Sequence, residues 1–418
     1  MAITRERFMQ SAGALTATAT IVGLHLQAAA AQDNDIPIGI LVPLTGGGAP
    51  YGTNMLKSAQ ITADLVNKAG PPLGRRLKLY TVDDQTAPDA AVTAAQKLMS
   101  LNRVVAILGT WSSAVTLAVL PLTTQAGIVE MNTSGAPDVT SPKYRKLVFR
   151  TQPTDRPYGV SIARYAKSKG YANVSVLALN NPFALAVRDS FNDEWSRLHM
   201  PTPTIVVYNP GASSYAGDVQ KALADKPDLL VVAGYTPDAS IIVKEWYASD
   251  VKTHLIGPGF AFNDSLVKNV GTAAANGLLA VDGVPPVGTP GFKAFASAYH
   301  TATGADLADP LSFWPAQVHD QVNILALAVE AAKSSKGDDV AAKVRDIADP
   351  PGTEVYDYAS GVKLLRQGKK INYQGASGPC DFDESHNIVT DFAVWEISGT
   401  KRTQVATYTA KELGSAAS

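Results

Sequence analysis

An α/β protein of two doubly wound lobes, each a parallel sheet covered by helices on both faces, is the fold this sequence predicts, on three observations. The chain has 418 residues, more than one compact core holds at roughly 100–200 residues per domain. Short β-branched runs alternate with helical patterns, the βαβα rhythm of a parallel sheet. That rhythm runs through one set of strands, stops, and restarts with a second set, which two sheets accommodate better than one.

In the first set, Ile36–Val42 (IPIGILV) reads as a buried strand. From Tyr51 to Lys68, Met55, Leu56, Ala59, Thr62, Leu65 and Val66 share one helical face, and Gly70-Pro71 stops the helix. Arg76–Val82 is strand-like, and Thr86 with Asp89 three residues on predicts a capped helix carrying Val92, Ala95, Leu98 and Met99. Val104–Leu108 is a strand, a helix starts at Ser113, and Ile128–Met131 is the next strand. In the second set, Asn173–Leu179, Pro203–Tyr208, Asp228–Ala233 and Thr253–Gly257 are strands separated by helical patterns near Ala184–Leu198, Tyr215–Ala224, Ala239–Ser249 and Asp264–Asn269. Prolines 285, 286 and 290 then break the rhythm; helical stretches follow over Pro290–Thr303 and Ser312–Ser334, and Ile388–Ile397 reads as a strand.

Composition narrows the function. Lys+Arg at 36 against Asp+Glu at 37 leaves no cationic surplus for a phosphate backbone, so no nucleic-acid partner is expected. A single cysteine, Cys380, excludes an internal disulfide and a thiolate zinc cluster. Arg5 and Arg7, a modest apolar run from Ser11 to Leu26, and Ala28–Ala31 have the order of a secretory signal cleaved after Ala31. Glu6 stands where a twin-arginine signal needs its second arginine, so the general secretory route is expected, and with it a free, soluble protein in the periplasm.

The chain has no G-x-S-x-G elbow, no H-E-x-x-H and no Walker lysine. Asp381, Asp383 and Ser385 mimic the start of a calcium loop, but His386 and Phe392 fill the glycine and glutamate positions that loop requires. No metal and no cofactor are expected. Hydroxyl-rich turns follow two strands: Gly109-Thr110-Trp111-Ser112-Ser113-Ala114 and Asn132-Thr133-Ser134-Gly135-Ala136-Pro137. In a parallel sheet both lie at the carboxyl edge, where open α/β sheets bind ligands, and a helix N-terminus there suits an anion. The same hydroxyls would serve equally as N-caps and turn formers.

The strings IGILVPLTGGGAPYG, DDQTAPDAAVTAAQKLMS, VVAILGTWSSAVTLAVLPLTTQAGIV, VFRTQPTD, VVAGYTPDA and GASGPCDFD, in that order, resemble the branched-chain amino-acid binding proteins, the substrate-binding components of ATP-driven importers. The resemblance implies the type I periplasmic-binding fold: two lobes joined by three crossovers, closing on a ligand by hinge motion. It implies lobes of residues 32–154 with 284–378 and 155–283 with 379–418, behind a signal at 1–31. It also implies a monomer whose partners are a small carboxylate and an inner-membrane ABC permease. Matched position by position, Ser113 is the serine that holds the ligand carboxylate, and Thr133, Ser134 and Gly135 form the turn that clasps the ligand head, with the usual threonine absent at Gly135. Ser112 stands where some members have cysteine. Tyr51 matches an aromatic lid, Asp155 a hinge-side carboxylate and Tyr235 an aromatic from the second lobe. Phe183 stands where many members have tyrosine, and His319 where an aromatic is usual. Trp111 and Phe260 are expected to complete aromatic walls.

One departure bears on the ligand. A glutamate that neutralises the ligand ammonium in amino-acid binders is matched here by Gly259. An aromatic or branched monocarboxylate is therefore expected ahead of an amino acid. The alternatives are a sensing subunit for a membrane signalling protein, with the same cleft, and a hydrolase using Ser113 as nucleophile.

Overall fold

The computed structural model describes residues 35–307 and 314–414; the expected export signal at 1–31 lies outside them. The first sheet holds β1 (Ile36–Val42), β2 (Leu77–Asp83), β3 (Ala106–Thr110), β4 (Val129–Asn132) and β5 (Val148–Arg150), all parallel in the order β2-β1-β3-β4-β5. Its connections run through α1 (Ala49–Lys68), α2 (Pro88–Ser100) and α3 (Ser113–Ala126). The buried runs of β1 and β3 read as continuous apolar strands because helices cover both faces.

The chain then enters a second unit through α4 (Arg156–Ser168). It continues β6 (Val174–Leu179), α5 (Pro182–Arg197), β7 (Thr204–Tyr208), α6 (Ala216–Leu223), β8 (Leu229–Ala233), α7 (Thr236–Ala248), β9 (His254–Pro258), α8 (Asp264–Val270), α9 (Thr272–Ala275) and β10 (Leu279–Gly283). From there it returns to the first unit as α10 (Pro290–Thr303), α11 (Trp314–Ala332), α12 (Gly337–Ala348), β11 (Thr353–Val355), α13 (Tyr358–Arg366) and β12 (Ile371–Tyr373). Ser58 on α1 donates to Pro315 O, and Thr62 Oγ1 meets His319 Nδ1 at 2.8 Å, so α11 is bound to α1 of the first lobe. A third passage leads to β13 (Phe392–Ser398) and β14 (Lys401–Tyr408), an antiparallel hairpin that extends the second sheet to the order β14-β13-β10-β9-β8-β6-β7. The first and third passages are stitched together where Arg150 N–H donates to His386 O at 2.9 Å and Ile388 N–H to Arg150 O at 3.2 Å.

Among the described residues the sheets have five and seven strands, where the sequence reading found four per set. β5 is three residues long, too short to show a period. The helical pattern of α4 is obscured by Pro157 and Gly159, yet the glycine is required: a Cβ there would lie 2.2 Å from Ser190 Oγ and 2.5 Å from Phe191 N on α5. The expected cap is also different. Ala87 occupies the N-cap of α2 without a side-chain bond because Pro88 sets the start, while Thr86, at φ 55°, accepts Gly48 N–H on its Oγ1 at 2.9 Å. Thr86 thus tethers the loop before α1 instead of ending a helix.

Candidate functional site

The carboxyl ends of β3 and β4 aim two turns at the space between the lobes. Gly109, at φ +95°, lies where the β3–β4 register shifts between Leu108 and Thr110. Ser113 is the first residue of α3, and Ser112 takes the N-cap position without making a cap bond. The N–H groups of Ser113, Ala114 and Val115 therefore keep the orphan character of a helix start. Ser113 Oγ accepts Ala136 N–H at 3.1 Å, which leaves its own proton for an acceptor in the cleft. The Thr133 N–H is tied to Thr110 O at 3.0 Å and Asp155 N–H to Gly135 O at 3.0 Å. The Gly135 N–H makes no hydrogen bond among the described residues.

A small cavity of about 20 Å³ lies at these turns, lined by Trp111, Ser113, Thr133, Gly135, Gln152, Phe183, Tyr235, Phe260 and Trp314. That is room for about one water-sized sphere, so any organic ligand requires the lobes to part or the rings to turn. None of the described lining side chains is ionisable in the physiological range; burial pushes the Tyr235 phenol up to about 12, against hydrogen bonding to Ser112 and Asn181. The rings interlock across the cleft. Trp111 of the first lobe lies 4.7 Å from Tyr235 and 6.1 Å from Phe260 of the second, and Phe260 lies 5.9 Å from Trp314. The geometry offers hydrogen-bond donors at one end and aromatic surface around them.

Seven of the thirteen residues expected at the site, Trp111, Ser113, Thr133, Gly135, Phe183, Tyr235 and Phe260, line this cavity. The other six are placed differently. Ser112 is not among the lining residues and hydrogen-bonds the Tyr235 hydroxyl. Ser134 turns away from the cavity: its Oγ bonds Trp111 O at 3.2 Å and the hydroxyl of Thr116, which binds the turn to α3. Tyr51, outside the lining residues, packs tilted at 5.0 Å from Trp111 and 4.7 Å from Trp314, and its hydroxyl clasps the second lobe at Phe260 O, Thr236 Oγ1 (2.8 Å) and Asn263 Nδ2 (2.9 Å). Asp155 is buried beside Gly135 with Oδ2 unpartnered; burial raises its carboxyl to about 8 against the opposing charge of Arg150. Gly259 donates its N–H to Val281 O at 2.8 Å and presents no side chain.

His319 is the clearest correction. It lies about 140° around α11 from Trp314, bonded to Thr62 and to Asn323 Nδ2 (2.9 Å) and stacked 4.2 Å from Phe295. Burial lowers its imidazole to about 3, so it is a neutral core residue. The residue of α11 that does reach the cavity is Trp314, which the sequence reading missed along with Gln152. Gln152 sits inside the VFRTQPTD string that carried the resemblance, directly beyond β5, and that placement was the available signal. Trp314 gave none, because an aromatic at the start of an apolar helix is ordinary core.

The periplasmic binding protein family model matches residues 35–402. The Leu/Ile/Val-binding protein BraC3 of Rhizobium johnstonii is 25% identical over 340 residues, covering 80% of this chain and 90% of that one. Among solved structures, the leucine-binding protein LivK from Thermotoga maritima superposes with a TM-score of 0.77 at 21% identity, covering 90% of this chain and 99% of that chain. An ABC-transporter solute-binding protein from R. palustris, in complex with benzoate, gives a TM-score of 0.74 at 19% identity, covering 90% and 96%. These proteins bind solutes and are not enzymes, which removes the hydrolase alternative for Ser113. With a match over nearly all the described residues and two lobes meeting at a cavity lined from both, the chain belongs to the periplasmic binding protein family.

Proposed function

We propose that this protein is the periplasmic receptor of an ABC importer for a small monocarboxylate without an α-ammonium, an aromatic or branched acid ahead of an amino acid. One observation carries the reading: the cavity has donors at one end, from Ser113 Oγ, Gly135 N–H and the start of α3, and no acidic side chain among the described residues of its wall. A carboxylate is served by those donors. An ammonium brought into the same space would be desolvated without a counter-charge, which is costly. The walls of Trp111, Phe183, Tyr235, Phe260 and Trp314 suit a flat or apolar body. The benzoate complex of the R. palustris protein supports it to the extent that the shared fold accommodates such an acid.

The reading places the lobes at residues 32–154 with 284–378 and 155–283 with 379–418, with export through the 1–31 signal and action as a monomer on an inner-membrane permease. Calorimetry with benzoate, phenylacetate and 4-methylpentanoate against phenylalanine and leucine tests it. The acids are expected to bind at least tenfold more tightly than the amino acids; tight leucine or phenylalanine binding with no binding of the acids would sink it.

A further inference from the structure

Arg150, the last residue of β5, is fully buried. Its Nη1 donates to Ser134 O and Ala136 O, each at 2.9 Å, its Nη2 to Thr140 Oγ1 at 2.7 Å and its Nε to Asn387 Oδ1 at 2.9 Å. Every acceptor is neutral. Among the described residues no carboxylate forms an ion pair with it. Two acids influence it from farther away. Asp383 reaches it through Asn387, whose Nδ2 donates to Asp383 Oδ2 at 3.1 Å. Asp155 is the other, and burial keeps its carboxyl largely protonated near neutral pH. Burial brings the guanidinium down only to about 10, so it stays charged.

The lobe interior thus holds a cation with hydrogen bonds but without a paired anion, an arrangement that strongly favours a negative charge nearby. The position is informative. The two carbonyls that Nη1 grips flank Gly135, which lines the cavity and whose N–H makes no hydrogen bond among the described residues. We propose that Arg150 is the positioning residue and buried counter-charge of the anion end: it holds the Ser134–Ala136 turn with its donors facing the cleft and supplies the positive field in which a ligand carboxylate binds. This rests on the monocarboxylate reading above and adds the source of its charge preference.

The test compares benzoate with benzamide, an uncharged isostere, in the wild type, Arg150→Lys and Arg150→Gln. The wild type prefers benzoate, Arg150→Gln lowers the benzoate-to-benzamide affinity ratio by roughly 10- to 100-fold, and Arg150→Lys, which keeps the charge but loses the fork, weakens both probes while retaining most of the ratio. An unchanged ratio in a folded Arg150→Gln variant overturns the proposal and leaves the carboxylate reading standing. A wild type that does not prefer benzoate overturns that reading itself. Should Arg150→Gln not fold, the wild type decides through Asp155, which faces Arg150, Asp138 and Tyr158. As pH rises from 7 to 9, below the Arg150 titration, its ionisation cancels the Arg150 charge, so benzoate affinity falls, benzamide affinity holds, and Asp155→Asn removes the fall. A benzoate profile that is flat in the wild type overturns the proposal.

Discussion

Gly135 of the first lobe is fitted to Phe183 of the second: a Cβ on the glycine would lie 2.6 Å from the phenylalanine ring. Both line the cavity, so the missing side chain and the ring at this point are two halves of one cross-lobe contact. The resemblance implies a threonine at Gly135, and here its space is taken by an aromatic edge. A hydroxyl that would face a polar ligand head is thereby exchanged for apolar surface.

Gly135→Ala is accordingly expected to weaken ligand binding at least tenfold, because the methyl group holds the lobes apart or displaces the ring. Overpacking of this kind costs about 1–3 kcal/mol. Pairing it with Phe183→Ala should recover most of the loss, since the two substitutions act on one contact. A double-mutant cycle read by calorimetry measures the coupling, and strict additivity would show that the two residues do not meet on closure.

Ser113→Ala removes a donor to a charged group, worth about 1.5–3 kcal/mol or roughly a 10- to 150-fold weaker Kd. Its Oγ also accepts the buried Ala136 N–H, so the thermal midpoint without ligand should fall as well, by the equivalent of about 1–3 kcal/mol. Unchanged affinity with a clearly lowered midpoint would mean that the hydroxyl serves the turn alone.

Tyr51→Phe deletes the hydroxyl that bonds Thr236, Phe260 and Asn263 across the cleft while keeping the ring against Trp111 and Trp314. Closure should weaken without loss of wall, giving a several-fold rise in Kd carried by faster dissociation. Stopped-flow release would detect it, and an unchanged off-rate would show the clasp to be energetically neutral.

Glu130, on β4, is fully buried between the hydroxyls of Thr110 (3.1 Å) and Thr123 (2.9 Å), and burial raises its carboxyl from 4.5 to about 7. A folded-state value above the unfolded one means that its contribution is complete below about pH 4.5 and is lost as pH rises through 7. Glu130→Gln keeps the hydrogen-bond shape without the titration. Relative to the wild type it should gain stability between pH 5 and 8, by up to about 3 kcal/mol. Denaturant unfolding at the two pH values checks the sign, and a constant difference between the proteins would contradict it.

Much of this protein was legible in its residues. Continuous apolar strands such as Leu229–Ala233 and amphipathic helices such as Ala49–Lys68 declare a covered parallel sheet, because burial on both faces leaves no polar alternation. The turns after β3 and β4 follow from the same rule, since parallel strands bring their carboxyl ends to one edge. Short or interrupted elements did not declare themselves: β5 has too few residues for a period, and α4 begins on proline with a glycine inside. Which side chain of an element faces the cleft was also beyond the sequence. Trp314 reaches the cavity and His319 does not because α11 is rotated against α1 by the packing around Thr62 and Phe295. The charge of the anion end was hidden for the same reason. Arg150 and Asp155 share the first crossover while Asn387 lies in the third, and only the meeting of these two crossovers places a guanidinium under the Gly135 turn. Sequence determined the layers and the edge where ligands bind; the tertiary structure decided which groups meet there, because rotation about a helix axis and contact between remote segments are set by packing.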